Sequence, residues 1–565
     1  MIIKLRKNNN IGDKNLFVDP DEIFLDSQNL ENFDRQQFEG RIEKPISKRT
    51  VIFLGVFFLF GLSAFVSRLG YLQIIQGKAY AEKSADNTLE KQLIFADRGI
   101  IYDRNGLELA WNQEEDGNTV RQYSSPGLSH LLGYVSYPAR DENGRYWQKT
   151  FVGKAGLEKV YNDLLSGQNG AKLVETDARG KTRSENVINL PVNGKDLITT
   201  IDSKIQKELY RLFSESAKGN SFAGAAGIIM DVKNGELIAS TSFPEYDSKI
   251  LSLGKDKNEI GKYLTDKRNF FMDRTMAGLY SPGSIVKPFF AIGVLKEGII
   301  DPLKKILSTG SISIPNPYFP DKPTVFKDWR PQGWVDMREA LAVSSDVYFY
   351  EVGGGYKDQP GLGIDRLDKY ARLFGIGQAT GVDLPNENTG IIPSPAWKEK
   401  NFPGDPWRVG DTYHTAIGQY GFQVTPIEMA RAVSAIANYG ILPQPHFLLG
   451  DKSMEAKART IGEEINKSYY DIVREGMRDS VLFGTSAELN VPYVEIASKT
   501  GTAQVGADNS KVNSWVIGFF PYNNPKYAFT LLVEGGPSSG WVSAVSIARN
   551  LFDWMNLNTP GYFKN

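Results

Sequence analysis

The most informative stretch of this sequence is Tyr280-Ser281-Pro282-Gly283-Ser284-Ile285-Val286-Lys287-Pro288. Its Pro-Gly pair predicts a turn, and the apolar residues after it predict a buried helix. Ser284 and Lys287 are three residues apart, so on a helix their Cβ atoms would lie about 5–6 Å apart on one face. A serine hydroxyl beside a desolvated lysine is one arrangement that activates a nucleophile. The stretch therefore predicts a nucleophilic serine at the start of a helix.

This serine–lysine pair gains weight from two further segments. Alone it is a weak signal, since Ser252 and Lys255 show the same spacing in a polar stretch. The residues Ser344-Ser345-Asp346 predict a helix start with a capping serine. The residues Lys499-Thr500-Gly501-Thr502 predict a strand with a glycine where another backbone approaches closely. Ser-x-x-Lys, Ser-x-Asx and Lys-Thr-Gly, in this order, form the motif set of the serine acyltransferases that react with β-lactams.

Length and composition exclude several classes of protein. The 565 residues suggest about two to four domains, and 41% hydrophobic residues are enough to bury a core. The formal net charge of −1 argues against a nucleic-acid-binding protein, which would usually show a basic excess. The chain has no cysteine and three histidines, which excludes disulfides, thiolate metal sites and a cysteine nucleophile, and makes a His-rich metal site improbable.

An apolar segment near the N-terminus predicts a membrane anchor. Residues 51–66 contain no charge and, extended to residue 72, are long enough to cross a bilayer. The flank before the segment is basic, which predicts a cytoplasmic N-terminus and a catalytic region on the periplasmic side. A cleaved signal peptide is disfavoured by the long polar tail and the lack of a small-residue cleavage site. A buried core helix is the other alternative.

The remaining pattern predicts an α+β chain in five parts. They are a tail (1–50), a transmembrane helix (51–72), a small α+β pedestal (73–190), a large α+β domain (191–556) and a short C-terminal tail (557–565). Within the pedestal, Asn105-Gly106 predicts a hairpin turn and residues 111–127 look like a loop. Predicted strands lie at both ends of the large domain and helices lie between them, so one sheet should join its two ends. These strands are 197–201, 223–232, 236–242, 513–520 and 526–533, with a closing helix at 541–555.

The chain resembles the class B penicillin-binding proteins, and within them the elongation transpeptidases of the penicillin-binding protein 2 type. The resemblance covers about residues 51–556 and implies a transpeptidase domain like that of serine β-lactamases. In that fold a central antiparallel sheet is flanked by helices and preceded by a dimerisation-type pedestal. The matching stretches are Arg98-Gly99 to Asn105-Gly106, Gly153 to Glu158, Leu197 to Asp202, Gly363 to Arg366, Thr380 to Pro385, Ile417-Gly418-Gln419, Val424-Thr425-Pro426 and Gly484-Thr485.

This resemblance implies an acyl-transfer mechanism. Ser284 would attack the penultimate D-Ala of a stem peptide and expel the terminal D-Ala, and the acyl group would pass to an amine of a neighbouring stem. Lys287, if neutral, would be the base and Ser344 would relay the proton. Asp346 stands where many relatives have Asn, and it would hold the Lys287 ammonium. Lys499, Thr500, Gly501 and Thr502 would bind the substrate, and the backbone N–H groups of Ser284 and Thr502 would form the oxyanion hole.

The resemblance also implies partners and shows departures. The partners would be stem peptides ending in D-Ala-D-Ala, β-lactams, a RodA-type membrane glycosyltransferase and scaffold proteins of the elongation complex. No cofactor and no nucleic acid are expected. The pedestal looks truncated between Ala110 and His130, and Tyr420 replaces a customary glycine. Some relatives hold a metal near the second motif, but here Asp328 remains without His or Cys partners, so we expect no metal.

Three alternatives stay open. A β-lactamase or β-lactam sensor would share the motifs, but no glutamate that activates water for deacylation can be named from the sequence. A division-type transpeptidase usually has Asn at the position of Asp346 and lacks the aromatic run after it. A catalytically inactive scaffold is disfavoured by the intact serine and lysine motifs.

Overall fold

The structure is a computed structural model that describes residues 47–564, except 87, 116, 143–145, 177–180, 221, 317–318, 320, 507–509 and 538–541. The predicted N-terminal tail therefore lies almost entirely outside the described residues. The chain divides into two compact units, Met1–Lys91 with Leu173–Asn186, and Gln92–Lys172 with Val187–Asn565.

The first unit contains the apolar helix predicted from the sequence. Helix Lys48–Gly70 begins after Ser47, whose side chain accepts a hydrogen bond from Thr50 N, and continues as a π-helix over Tyr71–Ile75. None of its side chains is buried, and the span Lys48–Ile75 is long and apolar enough to cross a membrane. A second helix follows at Gly77–Asp86. The next described element is a three-stranded sheet with the strand order Thr88–Ile94, Gly170–Thr176, Thr182–Asn189.

The N-terminal part of the second unit is a small mixed module around a four-stranded sheet. Its strand order is Leu197–Ile198, Ile101–Tyr102, Glu108–Glu115, Asn118–Tyr123. Asn105-Gly106 makes the predicted hairpin turn, with Gly106 at a left-handed φ of 82°. The loop predicted over 111–127 is wrong, because Glu108–Glu115 and Asn118–Tyr123 pair as an antiparallel hairpin. Polar residues on its exposed face hide the strand pattern in the sequence.

A buried ionic triad holds this module together. The Glu158 carboxylate accepts hydrogen bonds from Arg98 Nε (2.5 Å) and Arg121 Nε (2.8 Å), and all three side chains are fully buried. Removing one partner of such a group leaves a buried charge without compensation, which costs about 3–5 kcal/mol. The Arg98-Gly99 and Gly153 to Glu158 stretches of the sequence therefore meet in one structural core. The module's other elements are Ser129–Leu132, Val135–Ser136, Ala139–Arg140, Tyr146–Gln148, Val152–Gly153, Gly156–Val160 and Asn162–Leu165.

The large domain is built on a five-stranded antiparallel sheet that joins both ends of the domain. Its strands, numbered along the chain, are β1 (Gly224–Asp231), β2 (Leu237–Phe243), β3 (Ala497–Val505), β4 (Lys511–Phe520) and β5 (Tyr527–Pro537). Their order in the sheet is β2-β1-β5-β4-β3, so β3 with the Lys-Thr-Gly motif is an edge strand. The central antiparallel sheet and flanking helices confirm the predicted fold class. The predicted strand 197–201 is not part of this sheet, because Leu197–Ile198 pairs with Ile101–Tyr102 in the smaller module.

Helices cover the two faces of this sheet. Helix α1 (Lys287–Lys296), α2 (Asp346–Gly354) and the fully buried helix Pro426–Ala437 belong to the core on one face. Helix Ser203–Asn220 and the closing helix, α3 (Ala544–Asn558), belong to the core on the other face. The remaining helices are Ser248–Leu253, Lys257–Thr265, Met337–Ala342, Ile364–Leu373, Pro395–Asn401, Val409–Ala416, Lys452–Glu455 and Lys467–Leu482.

Short elements complete the domain. The short strands are Ile306–Ser308, Ser311–Ile314, Thr324–Lys327, Gly333–Val335, Ile441–Leu442 and Arg459–Thr460. The 3₁₀ turns are Gly283–Val286, Gly462–Glu464, Ala487–Leu489 and Pro560–Phe563. Two of these turns, Gly283–Val286 and Ala487–Leu489, reach the candidate site.

Candidate active site

Ser284 lies in a 3₁₀ turn immediately before α1. The turn Gly283–Val286 starts with Gly283 at a left-handed φ of 57°, a conformation that glycine adopts without strain. Gly283 N donates to Gly418 O (2.9 Å), and Trp515 Nε1 donates to Ser281 O (3.0 Å). The serine is therefore held between the Gly418 loop and strand β4.

Gly501 allows β3 to approach this turn closely. A Cβ atom at Gly501 would lie 2.7 Å from Pro282 O and 2.9 Å from a methyl carbon of Ile285. Real Cβ atoms do not make such short contacts, so a side chain here would push the strand away from the turn. The glycine of the Lys-Thr-Gly motif thus brings the edge strand against the serine motif.

The second motif forms the start of α2. Ser345 caps the helix, because its Oγ accepts from Tyr348 N, and Ser344 before it has a left-handed φ of 59°. Such a φ is uncommon for a residue with a side chain and is worth a functional explanation. Asp328 supports the turn, because its Oδ2 accepts from Ser345 Oγ (2.8 Å) and Val347 N (3.1 Å).

The three motifs meet through two buried lysines. Lys499 Nζ donates to Ser344 Oγ (2.7 Å). Lys287 Nζ donates to Asp346 Oδ1 (2.6 Å) and Ser344 O (2.9 Å) and lies 3.5 Å from Ser344 Oγ. Both lysines are fully buried. Among the described residues, the hydrogen bonds of Lys287 Nζ all go to the second motif.

The surroundings of Lys499 disfavour its charged form. Burial lowers the pKa of Lys499 well below its ordinary value, and the nearby charge of Lys287 lowers this pKa further. The Asp346 carboxylate acts in the opposite direction. An anion placed beside Lys499 would therefore be bound strongly, because it supplies a counter-charge to this buried amine.

The motifs open onto a cavity of about 490 Å³. The sequence-predicted residues on its wall are Ser284, Ser344, Asp346, Thr500, Gly501 and Thr502. Sequence reasoning did not single out the other lining residues, which are Trp329, Thr485, Glu488, Ser514, Trp515, Ser543 and Val545. Thr485 had one signal, the Gly484-Thr485 stretch of the resemblance, and its Oγ1 accepts from Thr500 Oγ1 (2.6 Å). The rest reach the cavity only through tertiary folding.

Asp328 is engaged by protein donors. Besides Ser345 and Val347, its oxygens accept from Ser308 Oγ (3.0 Å) and Trp329 N (2.9 Å). Among the residues that the structure describes, no three His, Asp or Glu side chains cluster closely enough to hold a metal ion. Asp328 has a structural task here, which is to fix the start of α2.

Tyr420 belongs to an aromatic cluster next to the Gly418 loop. It has a left-handed φ of 62°, and its ring contacts Trp397, Trp407 and His414 at centroid distances of 5.7, 6.0 and 6.4 Å. Aromatic pairs of this kind are worth about 0.5–1.5 kcal/mol each beyond their buried area. This packing gives a structural reason for a tyrosine at a position where glycine would be unstrained.

Two family models match the chain. The "Penicillin binding protein transpeptidase domain" matches residues 225–553, and the "Penicillin-binding Protein dimerisation domain" matches residues 115–199. The second match covers residues 115–190 of the predicted pedestal and extends to residue 199, in the predicted large domain.

Curated proteins and solved structures agree with these models. The chain is 27% identical to peptidoglycan D,D-transpeptidase MrdA of Escherichia coli K12, over 91% of this chain and 94% of that protein. It is similar to the penicillin-binding protein PBP2 of Helicobacter pylori in a complex with MreC, with 28% identity, 84% and 100% of the chains covered and a TM-score of 0.67. It is also similar to a chain of a peptidoglycan synthase complex described as coordinating polymerization and crosslinking, with 25% identity, 89% and 97% coverage and a TM-score of 0.68.

Proposed function

Because the chain belongs to the penicillin-binding protein transpeptidase family, we propose that it is an elongation-type peptidoglycan D,D-transpeptidase that works through an acyl-enzyme on Ser284. The observation that carries this proposal is the meeting of three motifs at one cavity, where Lys499 Nζ lies 2.7 Å from Ser344 Oγ. The full-length similarity to an MrdA transpeptidase supports the elongation type.

The first half of the reaction is an acylation. Ser284 Oγ bonds to the carbonyl carbon of the penultimate D-Ala while Lys287 takes the hydroxyl proton, for which the lysine must first release the proton that it directs to Asp346. As the C–N bond breaks, the Ser344 hydroxyl passes its proton to the leaving amine of the terminal D-Ala and takes the Ser284 proton from Lys287, whose Nζ lies 3.5 Å from Ser344 Oγ. The backbone N–H groups of Ser284 and Thr502 stabilise the oxyanion, a contribution of about 3–4 kcal/mol per donor in other acyl-transfer enzymes.

Residues of strand β3 bind the donor substrate. Lys499 in its charged form, with the hydroxyls of Thr500 and Thr502, holds the carboxylate of the terminal D-Ala. The exposed edge of β3 binds the donor peptide as an added strand, aided by the close approach at Gly501. Charge complementarity supports this assignment, since the buried Lys499 lacks a carboxylate partner of its own among the described ion pairs.

The test is mass spectrometry of the full-length chain after reaction with a penicillin. We expect a single long-lived adduct on the peptide containing Ser284. The Ser284→Ala variant should keep its fold and lose all labelling. An adduct on another residue would sink the nucleophile assignment, and rapid turnover of the drug would indicate a β-lactamase instead.

We also propose a single-pass anchor over Lys48–Ile75, with the N-terminus in the cytoplasm and the catalytic domain in the periplasm. Because the chain has no cysteine, single cysteines placed at Ser47 and Gln113 can be tested separately with a membrane-impermeant maleimide. In intact cells with a permeabilised outer membrane, only the Gln113→Cys variant should be labelled. Labelling of the Ser47→Cys variant instead would show that the N-terminus lies in the periplasm and would contradict the proposed topology.

The partners proposed are a scaffold protein and a membrane glycosyltransferase of the RodA type. The support is that similar chains occur in the MreC complex of Helicobacter pylori and in a peptidoglycan synthase complex. Co-purification of the full-length chain with each candidate tests this. Failure of both candidates to co-purify would remove the proposal.

A further inference from the structure

One wall of the cavity is formed by the turn Ala487–Leu489 and the start of α3. Ser543, the cap of α3, and Val545 in its first turn line the cavity together with Glu488. The start of α3 is tied to the sheet, because Ala544 N donates to Ser514 Oγ (3.1 Å) and Ser514 pairs with Thr502 on β3. This wall is therefore fixed relative to the strand proposed to bind substrate.

Glu488 is the exposed carboxylate of this wall. Its Oε2 accepts from Ser546 Oγ (2.8 Å), and Ser546 Oγ lies 3.0 Å from Ser543 Oγ. Since the Ser546 proton goes to the carboxylate, the Ser543 hydroxyl must donate to Ser546. The two hydroxyls of α3 thus form a hydrogen-bonded chain that ends on the Glu488 carboxylate.

Helix capping does not explain this glutamate. The α3 cap is complete without it, because Ser543 Oγ already accepts from Ser546 N (3.1 Å). The carboxylate meets a side-chain hydroxyl and no backbone N–H of the helix among the described hydrogen bonds. Arg549 reaches only the backbone carbonyl of Glu488 (2.7 Å), while its Nε pairs with Asp553.

The carboxylate is also the unneutralised charge of the cavity. Among the described lining residues, Asp346 and Glu488 carry the formal charges, and both are negative. Asp346 is paired with Lys287, whereas the ion pairs of the described residues include none for Glu488. A cavity with a free carboxylate on its wall favours a ligand that carries a positive group.

The acceptor stem peptide, which is the second substrate of a transpeptidase, carries a positively charged amine. The inference for Glu488 therefore rests on the proposed function. By microscopic reversibility the attacking amine enters where the D-Ala amine departs, on the side where the D-Ala carboxylate is held. Thr500, on that side, donates to Thr485 (2.6 Å), and Thr485 leads directly into the turn that contains Glu488. We infer that Glu488 is a positioning residue that binds the side-chain ammonium group of the acceptor stem peptide.

Glu488 positions the amine and does not deprotonate it. A carboxylate is a much weaker base than an aliphatic amine, so it binds the ammonium group without taking a proton from it. The ammonium loses one proton to solvent before attack. Its nitrogen then bonds to the acyl carbon, the C–O bond to Ser284 breaks, and the second proton passes to Ser284 Oγ.

The experiment measures how the acyl-enzyme partitions between transfer and hydrolysis. The full-length chain is acylated with a peptide ending in D-Ala-D-Ala, and the acceptor is either Nα-acetyl-lysine amide, a cation, or hydroxylamine, which is uncharged at neutral pH. Glu488→Gln keeps the hydrogen bond from Ser546 and removes the charge. Glu463→Gln, at an exposed glutamate outside the cavity, is the matched control.

We expect Glu488→Gln to lower transfer to the cationic acceptor about three- to fivefold, the effect of one exposed ion pair, and to leave transfer to hydroxylamine as it is. Equal transfer by Glu488→Gln and the parent with the cationic acceptor would overturn the inference while the proposed function stands. An unmodified chain that never acylates on Ser284 would overturn the proposed function itself.

A second measurement uses the unmodified chain, so its result does not depend on correct folding of the variant. Raising the ionic strength from about 0.05 to 0.5 M screens an exposed carboxylate–ammonium contact. Transfer to Nα-acetyl-lysine amide should fall relative to transfer to hydroxylamine. A salt response that is the same for the two acceptors would contradict the role of Glu488.

Discussion

Lys287 Nζ and Asp346 Oδ1 lie 2.6 Å apart, so the lysine next to the proposed nucleophile is held by a carboxylate of the second motif. The lysine is fully buried, whereas the Asp346 side chain is 18% exposed. Both partners act on Lys499, whose pKa is lowered first by burial and then by the charge of Lys287, and is raised by Asp346. A neutral Asn at the position of Asp346 would change this balance.

The first prediction concerns the ion pair itself. Asp346→Asn leaves the buried Lys287 cation without a counter-charge, and we expect the free energy of unfolding to fall by about 2–4 kcal/mol. The double variant Lys287→Met/Asp346→Asn should recover most of this loss, because the buried charge is gone. Denaturant titration of the four chains of this cycle measures the coupling. Additive effects of the two substitutions would show that the pair is not coupled.

The second prediction concerns Lys499. Lys499→Met should abolish penicillin labelling, since the anchor for the carboxylate is lost, yet raise the free energy of unfolding by about 1–2 kcal/mol at neutral pH, because a disfavoured buried cation is removed. The pKa of Lys499 is lower in the folded chain than in the unfolded chain, so between these two values the unfolded chain binds more protons and stability rises with pH. The Met variant lacks this rise.

The gain in the free energy of unfolding caused by Lys499→Met should therefore be largest at a pH below the pKa of Lys499 in the folded chain. The gain should shrink as the pH approaches the ordinary pKa of a free lysine. Urea titrations at several pH values for both chains give the comparison. An advantage that does not change with pH would show that Lys499 is not destabilised as a cation.

The third prediction concerns the close approach of β3 to the serine turn. Gly501→Ala places a methyl group 2.7 Å from Pro282 O, so the strand or the turn must shift. We expect penicillin labelling to slow at least tenfold and stability to fall by about 1–3 kcal/mol. Gly261→Ala is the control, because its Cβ would meet no atom within 4 Å. Normal labelling of Gly501→Ala would mean that the register of strand and turn does not limit acylation.

The fourth prediction concerns Tyr420. Tyr420→Gly relieves a left-handed backbone strain of about 1 kcal/mol but removes three aromatic contacts. We expect a net loss of about 2 kcal/mol and slower labelling, since the same loop holds Gly283 through Gly418. Tyr420→Phe keeps the ring and loses only the hydroxyl contact with Lys398 and Asp411, so it should lose less stability than Tyr420→Gly. A glycine variant that is more stable than the parent would refute the packing explanation.

The fifth prediction concerns Asp328. Asp328→Asn replaces an oxygen that accepts three hydrogen bonds, so the start of α2 should loosen, with a loss of about 1–3 kcal/mol and weaker labelling. Treatment of the parent chain with EDTA should change neither stability nor labelling. A drop in melting temperature after chelation, or a stoichiometric metal in the purified chain, would contradict this role.

Local signals in the sequence predicted the local parts of the structure. The Asn105-Gly106 turn, the capped start of α2 and the strands at both ends of the large domain all arise from short patterns. The contact between the Lys287 amine and Asp346 was expected only through the family resemblance, because the i, i+3 spacing says nothing about a carboxylate 59 residues away. The left-handed φ of Ser344 also depends on tertiary contacts.

Glu488 shows the same limit more sharply. It lies in an exposed turn without a motif, and its relation to the cavity arises only when Ser546 and Ser543 of the closing helix pack beside it. The hairpin around 111–127 was missed for a different reason, because its strands carry polar residues even at the buried positions Arg121 and Gln122 and so show no apolar alternation.

The order of strands in the central sheet has a consequence for biosynthesis. Ser284 and Lys287 leave the ribosome long before Lys499, and the edge strand that carries Lys499 is held through β4 and β5 against the early strands β1 and β2. A nascent chain that lacks its last segment therefore cannot close the sheet or assemble the two lysines around Ser344. The three motifs therefore come together only after β4 and β5 have been synthesised.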